Sequence, residues 1–233
     1  MKVLCIIPVF NEETNLKNTI TSIKNHNHGV EKFLFVDSGS TDNSSKILAN
    51  SGFEVVRLKK NKGIGYVLIN GIKHAIKNNF DIITVIHGGN KMDTRDFKII
   101  LDPILNNQCD FVWGSRFQHN SAKNMPKFRK LSTPILSKLV SYYYKTEVTD
   151  ATNGFRAYKV QDILKVLPNY DRRWLYGYGF EGFLFGKMLN SNLSSKEVPV
   201  TITYNKGVRH TKIKPIIDYP SIVVPYFLAK IIR

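Results

Sequence analysis

Acidic residues are scarce in this 233-residue chain: 18 Asp and Glu stand against 34 Lys and Arg, a formal charge of +16. That imbalance favours anionic partners, whether nucleic acid, phosphorylated small molecules or an anionic membrane face, and specifies none of them. Cysteine is scarcer still, with only Cys5 and Cys109. Cys5 sits inside an apolar run, so a disulfide framework is not expected and a reducing compartment fits. No segment reaches the roughly 18 consecutive apolar residues that a membrane-spanning helix needs. The opening Met1–Pro8 is too short, and broken too soon by Pro8, to read as a signal peptide. Zinc-ligand spacing, a basic-helix heptad and an aromatic RNA-binding signature are all missing, so nucleic acid is not an expected partner. Neither a G-x-G-x-x-G turn after the first strand nor a G-x-x-x-x-G-K-[ST] loop occurs. That counts against a dinucleotide dehydrogenase and a P-loop enzyme. Internal repeats and low-complexity linkers are absent too.

What is present is a folded globule, 42% hydrophobic, in which strand and helix patterns alternate. Lys2–Val9, Lys32–Val36, Phe53–Leu58, Ile82–Ile86 and Phe111–Trp113 read as strands. Their near-continuous β-branched and aromatic runs suit burial on both faces. Helices are expected over Asn15–Lys24 (with Thr14 as its cap), through Ala49 after a run of capping residues, and over Tyr66–Lys77, Thr94–Leu105 and Leu131–Tyr144. The pattern predicts an α/β fold: an open, mostly parallel sheet with helices on both faces.

Ligands in such sheets sit outside the carboxyl ends of the strands. The fourth strand ends abruptly in His87-Gly88-Gly89-Asn90-Lys91-Met92-Asp93, which reads equally as a ligand site or as a tight turn to the next helix. The first strand ends in Pro8, Phe10, Asn11 and Glu12, and the second in Asp37, Ser38 and Ser40. A carboxylate at such an edge can accept from base N–H or ribose hydroxyl groups. Asp37 is therefore read as a ligand contact, and Asp42 as a helix cap.

The blocks I-I-P-V-F-N-E-E-T-N-L at Ile6–Leu16, F-V-D-S-G-S-T-D-N-S at Phe35–Ser44 and N-K-G-I-G-Y at Asn61–Tyr66 occur in order. They are followed by W-G-S-R-F at Trp113–Phe117, T-D-A-T-N-G-F-R-A-Y at Thr149–Tyr158, Y-G-Y-G-F-E at Tyr176–Glu181 and V-P-V-T-I at Val198–Ile202. Together they cover nearly the whole chain and resemble the inverting glycosyltransferases of family 2. The later blocks are most similar to the branch that contains dolichyl- and polyprenyl-phosphate sugar transferases. The resemblance implies the GT-A nucleotide-diphosphosugar fold over 1–215, with 216–233 an apolar segment for a membrane face or a dimer contact. It implies a nucleotide diphosphosugar donor and a lipid-phosphate or glycan acceptor. It implies a cytoplasmic enzyme, with peripheral contact to the inner membrane face.

By the same resemblance Pro8, Phe10 and Glu12 line the base pocket and Asp37 binds the nucleoside. Lys62 and Gly63 lie beside the nucleotide, and Arg116 and Arg156 hold or position the diphosphate, which suits guanidinium geometry. Arg209 and Lys212, in a glycine-rich basic loop, are the candidates that close on the pyrophosphate. Transfer to a hydroxyl needs a general base, for which Asp150 and Glu181 are the candidates; transfer to an ionised phosphate needs none, and the two then orient the acceptor or brace Arg156. Lys123, Lys127, Arg129 and Lys130, beside the apolar residues of Leu131–Tyr144, make a charged and greasy lip of the kind a lipid phosphate requires, or else a solvated loop and a core helix.

The family's metal motif is Asp-x-Asp, often with a glutamine two residues on, and it holds Mg²⁺ or Mn²⁺. Here those positions read His87, Gly89 and Lys91, and the nearest carboxylate is Asp93. Three explanations stand: a shifted metal on Asp93 with Asn90 or His87; positive charge supplied directly by Lys91 with Arg156 and Arg209; or a domain that binds without catalysis.

Overall fold

A computed structural model describes residues 1–26, 29–120, 122–204 and 215–232. Elements in chain order are β1 (Val3–Val9), α1 (Glu13–Lys24), β2 (Lys32–Asp37), α2 (Ser44–Ala49), β3 (Glu54–Arg57), α3 (Ile64–Lys77), β4 (Ile82–Val85), α4 (Phe97–Leu105) and β5 (Phe111–Ser115). There follow β6 (Ala122–Lys123), α5 (Lys127–Tyr144), β7 (Arg156–Lys159), α6 (Val160–Val166), α7 (Gly179–Leu189), β8 (Ser195–Pro199), β9 (Ile202–Thr203) and α8 (Pro215–Ile231).

Seven strands form the main sheet in the order β3-β2-β1-β4-β7-β5-β8, and β6 and β9 pair apart from it. β1 is buried along its whole length, which explains its unbroken apolar run. Its side chains alternate between two cores. Val3, Cys5, Ile7 and Val9 join α1 and α4, while Leu4 and Ile6 join α3, α6, α7 and α8. The chain steps outward from β1 to β2 and β3, then crosses back to place β4 on the other side of β1. The carboxyl ends of β1 and β4 are therefore the topological switch point, where a crevice opens.

Two departures from the sequence reading shape that crevice. The sheet is parallel except at β7, which runs antiparallel between β4 and β5, with Arg156 opposite Val85 and Trp113. An antiparallel strand brings its amino end to the edge where its neighbours end, so the turn at 150–155 reaches the crevice. Thr14 does not cap α1: the helix begins at Glu13, and Glu12 holds the cap position without a side-chain bond. The reason is a competing network. Ser40 Oγ and Ser44 Oγ accept from the backbone N–H of Asn11 and Glu12, and Asp42 accepts from Glu13 and Ser44. This lacing locks the ends of β1 and β2 together.

α5 also starts earlier than expected, so that Lys127, Arg129 and Lys130 lie on the helix rather than in a loop. Its apolar residues divide: Leu136 and Val140 enter the core, whereas Leu131, Ile135 and Leu139 are exposed. α8 packs on the domain by pressing Tyr226 and Ala229 against α7. A Cβ at Gly182 would meet the Tyr226 ring at 2.5 Å, and one at Gly186 would meet the Ala229 Cβ at 2.7 Å. Only hydrogen at those two positions lets the helices approach so closely. No helix among the described residues is long and apolar enough to cross a membrane.

Candidate active site

The edge of β2 is closed and rigid. Asp37 is fully buried, and its oxygens accept from the Ser40 N–H at 2.9 Å and the Ser45 hydroxyl at 2.5 Å, with Arg57 Nε at 3.7 Å. Ser38 Oγ reaches Asn61 Oδ1 at 3.2 Å, tying the Asp37 turn to the loop that carries Lys62 and Gly63. Lys62 is exposed and lies over the Tyr66 ring, 4.4 Å from its centre, and Tyr66 in turn packs on Tyr176. Gly63 has φ +103°, a conformation in which a side chain would be strained, and it sits against the Tyr176 carbonyl. Asp37, Lys62 and Gly63 thus share one wall. Pro8 is buried, its carbonyl accepting from Gly88, and Phe10 is half-buried beside it.

The edge of β4 is built differently. Gly88 is bonded to β1 through that N–H, and its carbonyl accepts from Thr19 Oγ1 at 2.9 Å. A Cβ on Gly89 would lie 3.3 Å from Glu12 Oε2, so the Glu12 carboxylate lies beneath this turn. A Cβ on Gly154 would lie 2.7 Å from His87 Nε2 and 3.0 Å from Glu181 Oε1. The structure thus brings together His87, just past β4, Gly154 from the turn before β7 and Glu181 from the first turn of α7, with Glu12, at the start of α1, under the adjoining Gly89. Burial drives the His87 pKa below the ordinary histidine value; Glu181 pulls it back, Lys91 lowers it further, and Glu12 raises it. The imidazole is therefore neutral at pH 7, with one nitrogen able to donate and the other able to accept. Lys91 is half-buried, and its carbonyl accepts from the Thr203 N–H at 2.9 Å, which staples the turn to β9. A cleft of about 420 Å³ opens beside it, lined by Ser22, His26, Asn90, Asp93 and Arg95.

The residues present do not fit a divalent cation at this strand end. Asp93 caps the following turn and takes Arg95 in a close ion pair at 2.5 Å, and the hydrogen bonds from Arg95 hold its pKa below the ordinary carboxylate value. Among the described residues no three His, Cys, Asp or Glu side chains gather as a metal site. The ammonium of Lys91 occupies the motif position where a cation's carboxylate would be needed, and it repels a second positive charge.

Facing this edge, the turn at 150–156 is held from all sides. Arg116 binds Asp150 through Nε at 2.6 Å and Nη2 at 2.7 Å, and donates to Tyr204 Oη at 2.6 Å and Thr152 Oγ1 at 2.5 Å. Arg156 donates to the carbonyls of Asn153, Glu181 and Ala151 and lies on the Phe185 ring. Both guanidiniums are buried. Burial opposes the charge of Arg116, but Asp150 and Tyr204 outweigh it and its pKa is raised. Asp150 thus pairs with Arg116 and not with Arg156, and both arginines brace the site from within its wall. Arg209 and Lys212 lie outside the described residues.

Several positioning residues carried no signal in the sequence. Glu197 on β8 accepts from the N–H groups of Thr149 and Asp150 and from Trp113 Nε1. Ser137 Oγ accepts from Ala151 N–H, and Tyr226 Oη donates to the Ala151 carbonyl at 2.7 Å. Glu197 stands one residue ahead of the V-P-V-T-I block, the one hint the sequence offers.

Comparison with known proteins gives the family and the fold. Residues 4–167 match the family described as glycosyl transferase family 2. The chain is 30% identical over 222 residues to a UDP-N-acetylglucosamine–dolichyl-phosphate N-acetylglucosaminyltransferase of Methanococcus voltae, covering 86% of this chain and 85% of that one. It is 26% identical over 230 residues to a dolichol-phosphate mannosyltransferase of Pyrococcus furiosus, covering 94% of this chain and 62% of that one. Among solved structures, glucosyl-3-phosphoglycerate synthase from Mycobacterium tuberculosis, in complex with Mn²⁺, UDP and glucosyl-3-phosphoglycerate, superposes with a TM-score of 0.69. At 19% identity, over 98% of this chain and 78% of that one, it speaks for the fold alone.

Proposed function

The chain belongs to glycosyl transferase family 2, and from that premise we propose that it moves a sugar from a nucleoside diphosphate sugar to a polyprenyl phosphate, with inversion at the anomeric carbon. The observation that carries this reading is the convergence of Glu12, His87, Gly154 and Glu181 at the crevice between β1 and β4, with Lys91 on its rim. The names of the relatives support the acceptor class.

In this reaction an oxygen of the acceptor phosphate attacks the anomeric carbon from the face opposite the diphosphate. The bond from that carbon to the diphosphate breaks, and the nucleoside diphosphate leaves with the electron pair. An ionised phosphate arrives already deprotonated, so no general base is required. That fits Asp150, whose two oxygens are engaged by Arg116. We assign Glu181 and neutral His87 to orienting the acceptor and the sugar, and Glu12, Asp37, Lys62 and Gly63 to the nucleoside end of the donor. Charge building on the leaving diphosphate is offset by Lys91. The membrane location follows from the acceptor and is part of the proposal.

The test is transfer of labelled sugar from a panel of nucleotide sugars, UDP-N-acetylglucosamine first, to a polyprenyl phosphate in detergent. A lipid-linked product of inverted configuration is expected. Nucleotide binding with no turnover on any donor or acceptor would overturn the reading in favour of a binding domain; transfer only to glycan hydroxyls, lost in Glu181→Gln, would assign Glu181 as a general base.

A further inference from the structure

α5 is apolar on two opposite sides, and only one of them is used by the fold. Its inner side buries Thr133, Leu136, Ser137, Val140 and Tyr144. Phe128, Leu131, Ile135, Leu139 and Tyr142 recur at intervals of three and four residues, which places them on one stripe. They are from 52% (Leu139) to 87% (Tyr142) exposed. Tyr219 of α8 extends the stripe at one end by packing edge-on against Phe128, with ring centres 5.5 Å apart. Five large apolar side chains in one exposed row are not scattered surface residues but a patch that marks an interaction site. Lys127, Lys138 and Lys145 are exposed: Lys127 and Lys138 fall along one edge of the row, and Lys145 caps the carboxyl end of the helix.

We propose that this face of α5 is a membrane-docking surface, with the apolar row entering an anionic bilayer at headgroup depth and Lys127, Lys138 and Lys145 meeting lipid phosphates. Charge selects this occupant. An apolar stripe rimmed by lysines, on a chain of net charge +16, complements an anionic lipid surface and repels a second copy of itself. Position agrees with it. The inner side of the same helix holds the active-site turn, with Ser137 Oγ accepting from Ala151 N–H and Thr133 Oγ1 3.3 Å from Thr152 Oγ1. Docking by the outer side therefore holds the 150–156 turn beside the membrane surface, within one helix thickness of the headgroup layer where the phosphate of a lipid acceptor lies. This deepens the lipid-phosphate reading and rests on it for the choice of a bilayer as occupant.

The test is co-sedimentation with vesicles of phosphatidylcholine, with and without phosphatidylglycerol, in parallel with transfer to a short-chain, water-soluble polyprenyl phosphate. Binding is expected to phosphatidylglycerol vesicles and to weaken with salt. The double substitution Leu131→Glu, Ile135→Glu should lower it about tenfold or more, and Lys138→Gln, Lys145→Gln should lower it and weaken the salt dependence. Both variants should keep the wild-type melting temperature and soluble-acceptor activity, because these side chains are exposed and outside the site. Wild type that ignores phosphatidylglycerol vesicles, or a glutamate variant that binds them as well as wild type, overturns the proposal. So does a wild-type dimer in solution that Leu131→Glu, Ile135→Glu dissociates. Vesicle binding without transfer would instead sink the proposed activity and leave the docking surface standing.

Discussion

Across the crevice, the turn at 150–156 and the strand end at 87–91 handle charge in opposite ways. At the turn, Asp150, Arg156 and the Arg116 that reaches it from the end of β5 are all buried, and each is engaged by partners within the protein. On the strand end, His87 and Lys91 are half-buried, and the imidazole is kept neutral by burial. A buried ion pair costs much to break and does little for a ligand it does not touch. A half-buried lysine lining a cleft is placed to meet an anion that enters it. In the proposed reaction this difference separates bracing from chemistry: one wall sets the geometry, and the other is assigned the charge.

The most severe way to break this contrast is on the bracing side. Arg116→Ala leaves Asp150 as an unpaired buried carboxylate and should cost about 3–5 kcal/mol of stability. A large drop in melting temperature is expected, and an unchanged one would show that the pair is not structural. Arg156→Lys keeps the charge but cannot reach three carbonyls at once, and should lose a smaller part of the stability. On the chemical side, Lys91→Ala should lower kcat by about 10²–10³-fold with the melting temperature unchanged. Lys91→Arg should retain part of the rate.

A pH series sharpens the contrast further. The His87 pKa is lower in the folded protein than in the unfolded chain. Its contribution to stability is therefore fully present above the unfolded value of about 6.5 and is lost as pH falls through the folded value. Urea midpoints of wild type should fall over that range more steeply than those of His87→Gln; parallel curves would contradict the burial of the imidazole. The smallest effect is expected at the nucleoside end. Lys62→Ala removes an exposed cation stacked on Tyr66 and should raise KM for the donor a fewfold, leaving kcat unchanged.

How much of this was legible in the sequence depended on whether a feature was local. The buried parallel strands were readable because Val3–Val9 is an unbroken apolar run and Ile82–Val85 is β-branched throughout. The candidate residues at the ends of β1, β2 and β4 followed from the same strands. β7 was not readable: Arg-Ala-Tyr-Lys is short, and its antiparallel direction is set by the path of the chain around it. The pairing of Arg116 with Asp150 spans 34 residues and depends on β5 and β7 lying side by side, so spacing could not separate it from a pairing with Arg156. In α5 the periodicity was visible, but periodicity cannot tell which of two apolar faces meets the core. Only the packing of Leu136 and Val140 did so.

The central claim is that Lys91 supplies at the end of β4 the charge for which related sites use a cation. Transfer measured in excess chelator, for wild type and Lys91→Ala side by side, tests it most directly. Undiminished wild-type turnover in chelator, with Lys91→Ala down by about 10²-fold or more, is the predicted result. Wild-type turnover that vanishes in chelator and returns with Mg²⁺ or Mn²⁺ would contradict it.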